Sequence, residues 1–223
     1  RSHDGKVLAA ADEFGRVKLV RYPSPAQASG DTVYRGHSAH VTKVRFLADD
    51  THLISTGGTD RCAFQWKHEP AGPEDSGDEG RDDDSDIEEF GDGMVFALDD
   101  DSPEKFQAVK PWLGSIVAPT NHPEQDVAAP GTGLELDYVH GYRSQDATNN
   151  LHYNAAGEVV YSSAAIGIIY NSVEHCQKFY VGHDDDIISL AMSPDRQFVA
   201  TGQLGKKPSV HVWDAATGQG ICV

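Results

Sequence analysis

The chain has 223 residues, 39% hydrophobic and 9% aromatic, enough for one or two ordinary domains. Its formal charge of −17 is concentrated: residues 74–104 hold 15 acidic side chains and one basic one, and the rest of the chain is nearly neutral at −3. A polyanionic segment repels nucleic-acid phosphates and anionic lipid, and no apolar run reaches the ~18 residues of a membrane-spanning helix, so nucleic acid and membrane are not expected as partners.

The chain opens on Arg1 and stops in mid-repeat at Val223, so it reads as a segment of something longer. Its first predicted element is the polar turn and apolar run Asp4-Gly5-Lys6-Val7-Leu8-Ala9-Ala10. The same template recurs at Asp50–Thr56 and Asp195–Thr201. Each copy has the form of a tight hairpin feeding a central strand. The first two copies are 46 residues apart, near the ~40–45 of a propeller blade. The next interval, 145 residues, holds the acidic segment and a dense β-type block.

Around the second copy, Gly36-His37 precedes the predicted strand Val41–Phe46. Leu53–Gly57 follows, then a turn at Gly58-Thr59-Asp60 and a strand over Cys62–Trp66. The pattern resembles a WD repeat, whose His, strand hydroxyl, turn Asp and Trp form a buried hydrogen-bonded tetrad. The resemblance puts that tetrad on His37, Thr56, Asp60 and Trp66. The inventory suits it: indole donates, hydroxyl relays, imidazole does both and carboxylate accepts. A His, an Asp and a hydroxyl also invite a catalytic reading, but the spacing fits a blade and no nucleophile elbow is present. In the first copy Ala10, Phe14 and Val20 replace the polar set.

Residues 71–109 form the predicted acidic linker. With Pro, Gly, Ser and carboxylates and little to bury, 71–92 is expected to be disordered. Its expected role is a solvated spacer, with a regulated or docking segment as the alternative. Asp82, Asp84 and Asp86 imitate the start of a calcium loop, but Ile87 and Gly93 occupy the places that need Gly and Glu. Ser76 and Ser85 each precede an acidic residue by three positions, the pattern of an acidophilic kinase site. Order is expected to return near Met94–Leu98. The run Lys110–Pro119 follows, with Trp112 as a buried anchor or, alternatively, an exposed recognition residue.

The block from Pro130 to His183 is the most specific part of the chain. Leu134, Glu135, Leu136, Val139, Gly141, Tyr142, Arg143, Asn150, Tyr161, Gly167, Tyr170 and Asn171 resemble the HELP motif of the echinoderm microtubule-associated protein-like (EMAP-like) family. The Lys110–Pro119 run resembles the segment that joins modules in its longer members. After the block, Gly182-His183 opens another WD-like repeat that keeps His183, Thr201 and Trp213 but has Gly205 at the Asp position. A softer turn is expected there. The division that follows is WD blades over 1–70, the linker over 71–109, a joining segment and HELP motif over 110–181, and a further repeat over 182–223. The fold class is all-β, with partial WD-repeat β-propeller blades.

No cofactor or metal site is expected. Gly131-Thr132-Gly133 lacks the third Gly of a dinucleotide site, Gly205-Lys206-Lys207 is not a phosphate loop, and the 11 histidines are scattered. Cys62, Cys176 and Cys222 have no CxxC spacing and read as reduced, mostly packed thiols. The resemblance implies a non-catalytic scaffold that binds tubulin or microtubules, and other proteins, through propeller faces, in the cytoplasm at the cytoskeleton, spindle or cilium. The coiled coil and basic region that give some members their grip on the lattice are missing here. The acidic segment should be repelled by the acidic tails of tubulin within a Debye length of ~8–10 Å. The competing expectation is an acidic WD-repeat chaperone or adaptor for a basic protein client. So few repeats also leave apolar faces and strand edges uncovered, so the chain is expected to need neighbouring repeats to fold well.

Overall fold

Short apolar runs divided by polar turns leave each segment room for one strand, and successive strands then pair as antiparallel meanders. The structure, a computed structural model, describes residues 1–23, 30–70 and 128–223. Among these residues there is no helix, and all the strands fall in four antiparallel sheets. The first sheet has three strands, β1 (Val7–Ala11), β2 (Val17–Arg21) and β3 (Asp31–Tyr34). The second comprises β4 (Val41–Phe46), β5 (His52–Gly57), β6 (Ala63–Pro70) and β7 (Thr132–His140). The third comprises β8 (Leu151–Tyr153), β9 (Val159–Ser163), β10 (Ile166–Asn171) and β11 (Cys176–Tyr180). The fourth comprises β12 (Ile187–Met192), β13 (Phe198–Gln203), β14 (Val210–Asp214) and β15 (Gly220–Cys222). These are β-propeller blades of the WD type.

The repeated polar turns are closely alike, and the one in the third sheet is one residue shorter: Asn154 N donates to the carbonyl four residues on, where Ser2, Leu47 and Ser193 N donate to the carbonyl five residues on. Each carries a left-handed residue: Gly5 (φ 73°), Asp50 (57°), Gly157 (81°) and Arg196 (60°). A side chain three residues upstream braces three of them. Ser2 Oγ accepts from Val7 N at 3.0 Å, Ser193 Oγ from Phe198 N at 2.9 Å, and Asn154 Oδ1 from Ala156 N and Glu158 N at 3.0 and 2.9 Å. The turn at Asn154–Gly157 is a fourth copy of the template, in the stretch between Asp50 and Asp195.

The expected division between residues 70 and 110 meets a different arrangement. β7, the first strand of the HELP-like block, pairs with β6 from Ala63↔His140 to Pro70↔Thr132. One sheet therefore spans the acidic segment, and the chain leaves it at Pro70 and re-enters opposite at Thr132. All the described residues lie in a single compact unit. The physical reason is that the β4–β6 meander offers an edge, and β7 brings Leu134 and Val139 to the same core as Phe64 and Trp66. The linker, Trp112, the calcium-like run and the two candidate phosphorylation sites lie outside the described residues.

Two apolar clusters hold the sheets together. Val7, Leu19, Leu53, Phe64, Val139 and Ile168 belong to one that spans the first three sheets. Val160, Ile169, Leu190, Val199 and Trp213 belong to the second, between the third and fourth. Each fully buried aliphatic or aromatic side chain contributes about 1.5–3 kcal/mol. On the fourth sheet Ile188, Phe198, Val210 and Ile221 are exposed. Cys62 is buried, but Cys176 and Cys222 are exposed, so two of the three thiols are not packed as expected.

Candidate functional site

The polar centre of the second sheet is built by strand parity. On β5 alternate side chains face opposite ways, and Leu53 and Ser55 point into the protein. His37, on the loop between β3 and β4, reaches Asp60 Oδ2 through Nδ1 at 2.7 Å and Ser55 Oγ through Nε2 at 2.9 Å. Trp66 Nε1 donates to the same Ser55 Oγ at 2.8 Å. The consistent proton order has indole donating to hydroxyl, hydroxyl to imidazole and imidazole to carboxylate. Phe64 stacks on His37 with centroids 4.0 Å apart.

The hydroxyl in this network is Ser55, in place of the expected Thr56. Thr56 lies on the other side of β5, where its Oγ1 meets Thr42 Oγ1 at 3.1 Å near solvent. The left-handed residues give the cause. Asp50 corresponds to Gly5 and Arg196, so this copy of the template begins at Asp49, one residue earlier than its sequence suggested. One residue in a strand exchanges the two faces.

The fourth sheet has the same frame. His183 Nε2 meets Thr201 Oγ1 at 2.7 Å, and Trp213 Nε1 donates to that oxygen at 3.0 Å. The fourth member is Gln203, not the vacant place expected at Gly205: its Oε1 accepts from His183 Nδ1 at 2.6 Å. Gln203 Nε2 in turn donates to Asp184 Oδ1 and, at 3.4 Å, to the Lys207 carbonyl. Gln203 lies two residues beyond Thr201 and so on its face of β13, the signal that would have identified it. Burial holds the pKa values of His183 and His211 below the usual imidazole range.

The third sheet keeps the frame and changes the chemistry. Tyr161 pairs with Leu151 and Ile168 as Ser55 pairs with Val44 and Phe64, so Tyr161 stands at the hydroxyl position. By the same register Tyr170, paired with Val159, stands at the Trp position. Burial pushes the Tyr161 hydroxyl up to about 12, and its oxygen accepts from Gln177 Nε2 at 3.1 Å. Gln177 also links sheets: its Oε1 accepts from Val139 N at 2.8 Å and its Nε2 donates to Val139 O at 3.2 Å. On the same strand, Leu134 N donates to Tyr34 Oη of the first sheet at 2.9 Å. Side chains from both neighbouring sheets thus occupy backbone groups of β7.

The loops that enter the sheets converge on Arg143. Its guanidinium grips Asp146 through two bonds of 2.8 and 2.6 Å and reaches Asp186 at 2.7 Å. Asp186 also accepts from Ser38 Oγ. Burial opposes the Arg143 charge, but Asp146 and Asp186 outweigh it and hold its pKa above the ordinary value. Tyr142 Oη donates to Asn150 Oδ1 at 2.6 Å, and Asn150 Nδ2 donates to the Arg143 carbonyl at 2.7 Å. Gly167 makes room for the next sheet: a Cβ there would lie 2.8 Å from the Trp213 ring and 3.2 Å from Tyr180. Several residues that carry the HELP resemblance therefore do one job, fitting a sheet without a polar tetrad between two sheets that have one.

This architecture is that of a WD-repeat protein with a HELP sheet set among its blades. Family comparison agrees: the HELP motif matches residues 129–168, and the WD domain, G-beta repeat, matches 30–67 and 174–214. The chain is 40% identical over 133 residues to the ciliary WD repeat-containing protein ctxp80 of Euplotoides octocarinatus, covering 52% of this chain and 19% of that one. It is 36% identical over 135 residues to echinoderm microtubule-associated protein-like 2 of Rattus norvegicus (56% of this chain, 21% of that one). With echinoderm microtubule-associated protein-like 1 of Homo sapiens it shares 42% over 102 residues (42% of this chain, 12% of that one). The matched region is thus about a fifth or less of each relative's length. The chain thus carries a HELP motif and WD repeats, and over these residues it is similar to the EMAP-like proteins.

Proposed function

We propose that this chain is part of a non-catalytic, microtubule-associated scaffold that binds tubulin through the faces of its sheets. The observation that carries the reading is the joining of β7 to β6, which makes the HELP block an integral part of the WD array. Similarity to proteins named for microtubule association and to a ciliary protein supplies the partner. A cytoplasmic, cytoskeletal location follows from the same likeness. The His, Asp and hydroxyl groups serve as scaffold. His37 and Ser55 are buried, and each is committed to hydrogen bonds within the network. The acidic residues 74–104 favour a second reading, a chaperone or adaptor for a basic client.

Size-exclusion co-elution with soluble tubulin, with and without residues 74–104, separates the two. A shared peak that survives the deletion supports binding through the sheets. If no shared peak forms with the folded chain, and histone binding instead vanishes in moderate salt and on the deletion, the scaffold reading is wrong and the basic-client reading holds.

A further inference from the structure

β14 sets His211 against His183: the ring centroids are 4.0 Å apart, the planes lie 29° from parallel, and both residues are buried. The nitrogens of His211 bond to Tyr180 Oη at 2.6 Å and Ser209 Oγ at 2.8 Å. Those of His183 bond to Gln203 Oε1 and Thr201 Oγ1. All four partners are neutral. The carboxylate facing the pair is Asp184, held behind the Gln203 amide. Of its neighbours on the loop, Asp185 accepts from Asp186 N, and Asp186 is engaged by Arg143 and Ser38. Tyr180, from β11, packs its ring edge-on to both imidazoles and stacks on Trp213 at 5.3 Å.

A proton added to this site is poorly received. On His183 it turns Nε2 from acceptor to donor. Thr201 Oγ1 already accepts from Trp213, so its own hydrogen would lose its acceptor. On His211 the proton finds two hydroxyl acceptors, but it places a buried charge 4.0 Å from a second imidazole and beside the Tyr180–Trp213 stack.

We propose that the His183–His211 pair is a proton-sensitive joint between the third and fourth sheets, which loosens the fourth sheet when it takes up protons. Tyr180 makes it a joint, because one residue of the third sheet bonds His211 and covers Trp213. Burial lowers both histidine pKa values, and His211 lowers that of His183 further. An imidazole whose pKa falls on folding stabilises the folded form above its unfolded value of ~6.5. That contribution is lost as the pH drops through ~6.5 towards the folded value. Each histidine changes the closed-to-open ratio by up to about tenfold per pH unit, so the pair changes it by up to about 100-fold. The second sheet has Phe64 where the fourth has His211, and the Asp60 carboxylate where the fourth has an amide.

The test is histidine C2-proton NMR titration of this chain, together with amide exchange corrected for intrinsic rates, from about pH 7 to 5.5. Both rings should titrate below ~6.5. Protection of β13 and β14 should fall relative to β1 and β2, which carry no histidine. His211→Phe, which copies Phe64, should reduce the dependence to about tenfold per pH unit. Titration of His183 or His211 at or above ~6.5 overturns the proposal, as does protection of β13 and β14 that stays flat in the unmodified chain.

Discussion

The second and fourth sheets solve one problem with different chemistry. Both tie a loop histidine, a strand hydroxyl and an indole together, with bonds of 2.9 and 2.8 Å in the second sheet and 2.7 and 3.0 Å in the fourth. They differ at the imidazole Nδ1, which meets the Asp60 carboxylate in one and the Gln203 amide in the other. They also differ at the ring stacked on the histidine, Phe64 or His211. The frame therefore requires an acceptor at Nδ1, not a negative charge. The acceptor can also come from a different element: Asp60 sits between β5 and β6, whereas Gln203 belongs to β13 itself.

The largest effects should be shared by the two sheets. Trp213 is fully buried and Trp66 nearly so, and each donates to its central hydroxyl. Trp66→Ala and Trp213→Ala should each cost about 3–5 kcal/mol in denaturant unfolding. If only one of them does, the two networks are not equivalent supports. The acceptors should separate the sheets. Asp60→Ala removes a buried carboxylate that also accepts from Cys62 N at 3.3 Å, and a loss of about 3 kcal/mol is expected. Gln203→Ala removes a neutral acceptor near the exposed Asp184, and about 1–2 kcal/mol is expected. Equal losses would mean that the charge on Asp60 adds nothing to its hydrogen bonds.

What was legible in the sequence was whatever depends on local pattern. Polar turns before apolar runs, Gly-His pairs and closing tryptophans marked the all-β class, two blades and the histidine and indole positions. The role of the HELP block was less accessible, because a strand's partner is chosen by a free edge in space. No local signal says that Thr132 returns opposite Pro70. The third sheet was also concealed by substitution: Tyr161 and Tyr170 hold the hydroxyl and Trp positions, so a search for polar tetrads passes over them. Gln203 is hidden for a simpler reason, since the WD pattern places the acceptor in the turn and Gln203 lies on the strand before it.

The smallest expected effect is the sharpest check on that reading, because it turns on one residue of register. Ser55 receives the Trp66 proton and bonds His37, so Ser55→Ala leaves a buried indole donor and imidazole nitrogen without partners. About 1–3 kcal/mol should be lost. Thr56 has its hydroxyl near solvent with Thr42, and Thr56→Ala should stay within about 0.5 kcal/mol. Thr201→Ala extends the comparison to the fourth sheet, where the same pair of groups would be stranded and a loss like that of Ser55→Ala is expected. The reverse order, a costly Thr56→Ala beside a silent Ser55→Ala, would put β5 one residue out of register. Leu53 would then turn from the core to solvent with Ser55, since side chains two apart share a face. A strand with Leu53 fully buried does not permit that, so the two alanine variants test the packing of the sheet as well as its hydrogen bonds.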